Sequence, residues 1–235
     1  MTKKIYKLRD LLEGVYDKFI FKAVFVTGSP AAGKTTTAQR IVKEHYGMKI
    51  IDSDPQFELL AQKAGLQLGD MDLHTENQKL HTATLRNIAK TMREKDLTLK
   101  NEGALGVVIP TNIDDAEGLL RKKKALEDKG YDTFLIYINI PLEEAIKRNQ
   151  QRERSVYTEV VIDTWRKAQE EISAVSPYFH GYTLVLDGRT DVQGHDLEPL
   201  DRFLNAKIRN PIAHDWLQLQ LMLKNRLEPE NPEIQ

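Results

Sequence analysis

Two kinds of apolar spacing alternate along the chain. Residues 5–20 place Ile5, Leu8, Leu11, Leu12, Val15 and Phe19 three and four apart, which predicts an amphipathic helix. Residues 21–27 form a mostly apolar run, as a parallel strand buried on both faces should. A helical pattern then runs from about residue 36 to 45, and Gly47 closes it. Residues 48–52 predict a second short strand, 55–68 a short helix and turn, and 73–95 a longer helix. Leu80, Thr84, Ile88 and Met92 lie four apart along one side of that long helix. A third strand is expected over 105–109. The helix after it opens with Asp114 and Asp115, uses Ala116, Leu119, Leu120 and Leu126 as its apolar side, and stops at Gly130.

Residues 133–139 predict a fourth strand, and Pro141 starts the next helix with Glu143 and Glu144 in its first turn. Thr158 is expected to cap a further helix, in which Val161, Trp165, Ala168, Ile172 and Val175 form one apolar stripe that reads as core. A fifth strand follows over 182–186, and 197–206 holds a further element. In the last segment Leu217, Leu219, Leu221 and Leu223 alternate, but its length and the Pro211 start favour a helix to residue 227. Strands alternate with helices throughout. The fold class predicted is therefore α/β, a three-layer sandwich with a five-stranded parallel sheet covered by helices on both faces. No repeat or linker divides the chain, so residues 1–227 are expected to form one domain. Residues 228–235, with two prolines and three glutamates, are expected to be a disordered tail.

Composition narrows the function classes only a little. The chain of 235 residues carries 34 basic and 35 acidic residues, which argues against a general coat for nucleic acid but is compatible with one local basic groove. Cysteine is absent, which excludes disulfides and thiolate metal sites and fits a reducing compartment. The charged N-terminus lacks the apolar core of a signal peptide, and no stretch approaches the roughly 18 apolar residues of a membrane helix. A cytoplasmic protein without a membrane partner is expected.

The chemistry centres on Gly28-Ser29-Pro30-Ala31-Ala32-Gly33-Lys34-Thr35, a G-x-x-x-x-G-K-[ST] loop placed between a strand and a helix. Gly28 and Gly33 allow the backbone to turn its N–H groups inward onto a phosphate, and the helix that follows adds its positive dipole end. Lys34 can reach the β- and γ-phosphates, and the Thr35 hydroxyl can ligate Mg²⁺. ATP and Mg²⁺ are thus the expected cofactors. The expected nucleotide contacts are Gly28, Ser29, Ala31, Ala32, Gly33, Lys34, Thr35 and Thr36, with Thr35 as the metal ligand.

Asp52 and Asp54 emerge at the carboxyl end of the second strand, where ligands bind in open α/β sheets. They are candidates for catalysis, although Asp54 followed by Pro55 also suits a helix cap. The long helix after this strand could hold a phosphoacceptor, with Arg86 and Arg93 as contributors; His74 and His81, seven apart on it, read as solvated histidines. Arg148, Arg152 and Arg154 lie in a polar stretch with no apolar anchor. They read as a lid near residues 148–156 that closes guanidinium groups onto phosphates, and Arg148 and Arg152 share a face if the helix continues. The polar loop 187–194 is a natural place for the nucleotide base. Phosphoryl transfer needs a cradle, a metal, a group that orients the nucleophile, and positive charge for the transition state. The chain supplies all four in order.

This constellation resembles the zeta-toxin and polynucleotide-kinase-like branch of the P-loop kinases, including small kinases encoded by bacteriophages. The residues that carry the resemblance are 24–37, Asp52-Ser53-Asp54-Pro55-Gln56-Phe57, Tyr137-Ile138-Asn139-Ile140-Pro141-Leu142 and 148–154; Trp165 to Asp187 looks like the closing helix and strand of phage members. The resemblance spans roughly residues 20–190 and implies transfer of the ATP γ-phosphate to a hydroxyl of a nucleic acid (DNA or RNA), a nucleoside or nucleotide, or a nucleotide sugar. It also implies that the acid after the second strand is the general base, a position Asp54 matches better than Asp52. For a phage-encoded chain the compartment implied is the host cytoplasm. Two departures stand out. Polynucleotide kinases place an arginine three residues after this acid, where Phe57 stands here. Phage relatives tend to carry Asp-Gly-Thr-Gly after the third strand, where this chain has Ile109-Pro110-Thr111-Asn112. Either the acceptor is unusual, or Asp52 takes part of the metal's surroundings, or transfer is weakened. The alternative expectation is accordingly a nucleotide-binding switch or structural protein that has kept the cradle and lost transfer.

Overall fold

Strand β1 (Lys22–Gly28) is buried at every position, and its alternate side chains feed two different cores. Val24 and Val26 pack on one face of the sheet, Ala23 and Phe25 on the other. This computed structural model describes residues 18–45, 47–66, 75–113, 115–152 and 155–227. Most of the expected N-terminal helix, Arg154, His74, Asp114 and the expected tail lie outside those residues. Residues 18–20, expected as the end of that helix, belong to a turn leading into β1.

The remaining elements are α1 (Lys34–Glu44), β2 (Lys49–Ile50), α2 (Asp54–Lys63), α3 (Glu76–Glu102), β3 (Val107–Pro110), α4 (Ala116–Glu127), β4 (Asp132–Asn139), α5 (Leu142–Gln150), α6 (Thr158–Val175), β5 (Thr183–Asp187), α7 (Glu198–Asn205) and α8 (Pro211–Leu227). The five strands form one parallel sheet in the order β2-β3-β1-β4-β5. The apolar runs of β1, β3 and β4 are what a strand covered on both faces requires. Helices α1 and α7 contribute Ile41, Phe203 and Leu204 to one core, and α4 and α8 contribute Leu119, Leu126 and Ala213 to the other. The architecture is a three-layer α/β sandwich.

This strand order puts β3 and β4 on either side of β1, so the chain reverses direction across the sheet there. The carboxyl ends at such a switch point open a crevice for ligands. The β1–β4 register is pinned at its far end, where Lys22 and Asp132 are paired partners and join in a buried ion pair of 3.0 Å. At the near end the same register sets Gly28 opposite Ile138.

Several local expectations are corrected. The second strand is two residues long rather than five, because β2 is an edge with only β3 to pair with. The long helix runs to Glu102, seven residues past its expected end, and starts at a capping box formed by Thr75 and Gln78. Its packed side holds Thr82, Leu85 and Ala89, while Leu80, Ile88 and Met92 of the apolar stripe are exposed. Thr158 is the first residue of α6 and not its cap, which is Tyr157.

Candidate functional site

The loop after β1 is forced into shape by close contacts. Gly28 has φ 151°, and a Cβ placed there would stand 2.5 Å from the Ile138 carbonyl oxygen, a backbone atom with no room to yield. Ala31 and Gly33 adopt positive φ of 61° and 99°. Gly33 is the N-cap of α1 and offers its first turn no side-chain cap. The Lys34 ammonium folds back into the loop and donates to the carbonyls of Gly28 at 3.1 Å and Ser29 at 2.7 Å.

Asp52 and Asp54 do different things. The Thr35 hydroxyl donates to Asp52 Oδ2 at 3.3 Å, and the Asp54 N–H donates to Asp52 Oδ1 at 3.1 Å. Burial pushes the Asp52 carboxyl above its ordinary value, and the nearby Asp54 charge pushes the same way; the hydrogen bonds from Asp54, Thr35 and Ser53 oppose them. Asp54 itself is the first residue of α2, one position after the N-cap Ser53, so it is not the cap. The local turn is instead closed by Asp52.

A paired hydroxyl and carboxylate oxygen make a hard donor set that suits Mg²⁺, which binds through one or two protein oxygens and takes its other positions from phosphates and water. Among the described residues no cluster of three or more His, Cys, Asp or Glu could hold a metal by itself. His81, on α3, is exposed.

Of the three arginines expected in a lid, Arg148 is anchored by side-chain contacts. Helix α5 ends at Gln150, so Arg148 and Arg152 do not continue on one helix. Arg148 donates from Nε to Glu144 at 2.6 Å and from Nη1 to the Gly188 carbonyl at 2.7 Å. The loop beyond is clasped at its base by Asn149, whose amide donates to the Val156 carbonyl at 2.7 Å and whose oxygen accepts the Val156 N–H at 2.8 Å. Asn149 is 1% exposed, and nothing in its sequence setting marked it. Glu144 was legible only as an acidic first turn, although its spacing of four from Arg148 is that of a helical ion pair.

These groups surround one cavity of about 850 Å³. Ala31, Gly33, Lys34, Thr35 and Thr36 line it from the loop, Asp52, Asp54 and Phe57 from the end of β2 and from α2, and Arg148 and Arg152 from α5 and beyond. Arg86, Lys90 and Arg93 line it from α3, Asn112 from the end of β3, and Lys122 from α4. Gly28, Ser29 and Ala32 shape the loop without lining the cavity. The polar loop 187–194 is kept close by Gly188, where a Cβ would stand 2.5 Å from Ile140 Cγ2 and 3.0 Å from the Ala32 carbonyl. Beside it, hydrogen bonds from the Arg189 side chain hold the Asp187 carboxyl down at about 2.

A family model described as AAA domain matches residues 24–174, more than half of the chain. The chain belongs to that family. Its AAA domain covers the phosphate loop, the Asp52–Asp54 pair, α3 and the arginine segment in a single span. A cytidylate kinase of Archaeoglobus fulgidus is 24% identical over 147 residues, which is 60% of this chain and 79% of that protein. Among solved structures, the PezAT chromosomal toxin-antitoxin system of Streptococcus pneumoniae matches with a TM-score of 0.54 and 17% identity, over 97% of this chain and 99% of the other. The Pnkp1/Rnl/Hen1 RNA repair complex matches with a TM-score of 0.50 and 17% identity. There the match takes in 66% of this chain, and this chain spans only 46% of that one. At these identities the structures support the fold. No helix among the described residues is long and apolar enough to cross a membrane.

Proposed function

We propose that this AAA-domain protein is an ATP-dependent phosphotransferase that moves the γ-phosphate to a hydroxyl group. The observation that carries the reading is the division of labour in the acid pair. Asp52 is engaged by Thr35 of the phosphate loop, while Asp54, two residues on and the first residue of α2, lines the same cavity. In this reading Gly28, Ser29, Ala31, Ala32, Gly33 and Thr36 build the phosphate cradle, and Lys34 stabilises charge on the β- and γ-phosphates. Thr35 and Asp52 would hold Mg²⁺, which when bound supplies Lewis-acid stabilisation of phosphoryl charge. Asp54 accepts the proton of the attacking hydroxyl as the new P–O bond forms and the bond to the β-phosphate breaks, releasing ADP. Arg148 and Arg152, with Arg154, supply positive charge to the transition state.

The acceptors that fit this reading are a nucleic-acid hydroxyl, a nucleoside or nucleotide, and a nucleotide sugar. Kinship with zeta toxins and polynucleotide kinases, including phage-encoded members, belongs to the same proposal, as does a cytoplasmic location. Its support is the shared fold, a relative that is a cytidylate kinase, and the placement of both acids beside the loop.

The test is transfer of labelled γ-phosphate to a panel of nucleosides, nucleotides, oligonucleotides and nucleotide sugars. Asp54→Asn should lower kcat by about two to four orders of magnitude while ATP still binds, and Lys34→Ala should abolish transfer. Normal transfer by Asp54→Asn would remove Asp54 as the base. A second reading, a nucleotide-binding switch, is favoured by one observation: the end of β3 presents Asn112, not a carboxylate, to the cavity. Stabilisation by ATP with no transfer to any acceptor would decide for it.

A further inference from the structure

Helix α5 carries two strips of side chains with different tasks. Ala145 and Asn149, four apart, are its buried residues. Ala145 belongs to the same core as Val24 and Val26, and Asn149 clasps the loop that follows the helix. Glu144 and Arg148 each precede one of these residues, which puts them on a second strip about 100° round the helix. The buried strip keeps α5 from rolling, so the backbone under Glu144 and Arg148 has a fixed place beside the cavity.

The Arg148 guanidinium is held at two of its three nitrogens. Nε donates to Glu144 at 2.6 Å, and Nη1 donates to the Gly188 carbonyl at 2.7 Å. Gly188 is itself fixed, because its N–H donates to the Asn139 carbonyl at 2.9 Å and so prolongs the pairing of β4 with β5. A Cβ on Gly188 would stand 3.0 Å from the Ala32 carbonyl, so the acceptor of the Nη1 bond lies against the phosphate loop. Asp187, whose carboxylate also feels the Arg148 charge, is hydrogen-bonded to Arg189, with Nη2 at 2.6 Å. A guanidinium is a rigid planar fork, so bonds at Nε and Nη1 fix the direction of Nη2 as well. Nη2 has no protein acceptor among the described residues, and the side chain lines the cavity with Lys34, Thr35 and Asp54.

Stability does not account for the Glu144–Arg148 pair. The two side chains are 30% and 31% exposed, and an ion pair four apart on such a surface adds little. Its effect is on geometry. An arginine without such contacts samples many rotamers and must give them up on meeting an anion, whereas one already oriented costs no reorganisation when charge develops. We propose that Glu144 is a positioning residue for phosphoryl transfer. It seats Arg148 against the Gly188 carbonyl and thereby presents Nη2 to the phosphoryl group before the nucleotide arrives. Arg148 is then a preset cation and not one that swings in. The inference rests on the phosphotransfer reading above and adds to it an acid that acts without touching the nucleotide.

The experiment measures transfer kinetics of the full chain with labelled ATP and whichever acceptor the panel identifies. Glu144→Ala should lower kcat about tenfold, the worth of one charge-assisted hydrogen bond, and change the ATP KM less than about twofold. Glu144→Gln keeps an oxygen that accepts from Nε and should stay within about threefold of the parent. The decisive variant is double. Because Glu144 acts through Arg148, Glu144→Ala should slow Arg148→Ala no further.

Three results overturn the inference and leave phosphotransfer standing: a parental kcat in Glu144→Ala, a Glu144→Gln as slow as Glu144→Ala, or a loss that persists in the Arg148→Ala background. A rise in ATP KM equal to the fall in kcat also overturns it, since that is the signature of a merely structural contact. If no acceptor takes label from the parent, phosphotransfer fails, and the orienting of Arg148 is judged by ADP affinity with and without aluminium fluoride, a planar mimic of a phosphoryl group in transfer. A gain in affinity that Glu144→Ala reduces and Glu144→Gln retains upholds it. No gain, or a gain that Glu144→Ala leaves unchanged, removes it.

Discussion

The Thr35 hydroxyl donates to the Asp52 carboxylate across 3.3 Å, joining the end of the phosphate loop to the turn that starts α2. This contact sets the two carboxylates apart, because Asp52 is committed to the loop and to the Asp54 N–H.

Burial raises the Asp52 carboxyl above its ordinary value. In the window between the ordinary and the raised value, the folded protein keeps a proton that the unfolded chain has released. Stability therefore falls as pH rises through that window, and the cost persists at neutral pH. Without divalent ion or nucleotide, Asp52→Asn should melt higher than the parent at neutral pH and show a flatter slope through the window. The same variant should gain little stability from ATP with Mg²⁺. A calorimetric pH series checks both, and an unchanged melting temperature at neutral pH would count against the burial argument.

Gly188 holds the 187–194 loop against the phosphate loop. A methyl group there meets Ile140 Cγ2 at 2.5 Å and Ile138 Cγ2 at 2.7 Å, so the loop must move outward. Gly188→Ala should cost about 1–3 kcal/mol by overpacking. It should also weaken ATP binding, since the displaced carbonyl is the one that Arg148 uses. Urea denaturation and nucleotide titration on one preparation measure the two effects.

Asn149 closes the arginine loop by two hydrogen bonds to Val156. Asn149→Ala should cost about 2 kcal/mol for the pair and release the segment that carries Arg152. The activity signature should be a fall in kcat larger than any change in the ATP KM. Equal losses in both would indicate that the loop orders the nucleotide and not the transition state.

At the opposite end of β1, the buried Lys22–Asp132 pair is reinforced by the Arg209 N–H, which donates to the same carboxylate oxygen at 3.0 Å. Removing one partner leaves a buried charge alone, so Asp132→Ala should cost about 3–5 kcal/mol. Because the pair lies in the register that ends at Gly28 and Ile138, hydrogen exchange in the phosphate loop should quicken in that variant at temperatures well below its melting point.

The parts of the site that were legible in the sequence are those made by contiguous residues. The glycines, Lys34 and Thr35 have roles set by backbone geometry within eight positions, and the acids follow a short apolar run. What failed to show were relationships between distant segments. Leu80, Ile88 and Met92 recur every four residues along one side of α3, yet the side that packs carries Thr82, Leu85 and Ala89, whose small members let α2 approach closely. Asn149 looked like one polar residue among many, because its value lies in meeting Val156 after the chain has turned.

The sequence by itself determined a parallel α/β sheet, a phosphate loop on its first strand, and an acid pair and an arginine segment at later strand ends. Those follow from local propensity, apolar periodicity and the narrow set of residues that can line a phosphate. Only the tertiary structure decided the strand order β2-β3-β1-β4-β5, which sets the ends of β2 and β4 on opposite sides of the loop. It also decided that Asp52 and not Asp54 meets Thr35, that Arg148 is anchored at Gly188, and that one face of α3 turns three cations into the cavity. Each of these depends on which element packs beside which, and the burial of side chains from separate segments against one another determines that choice.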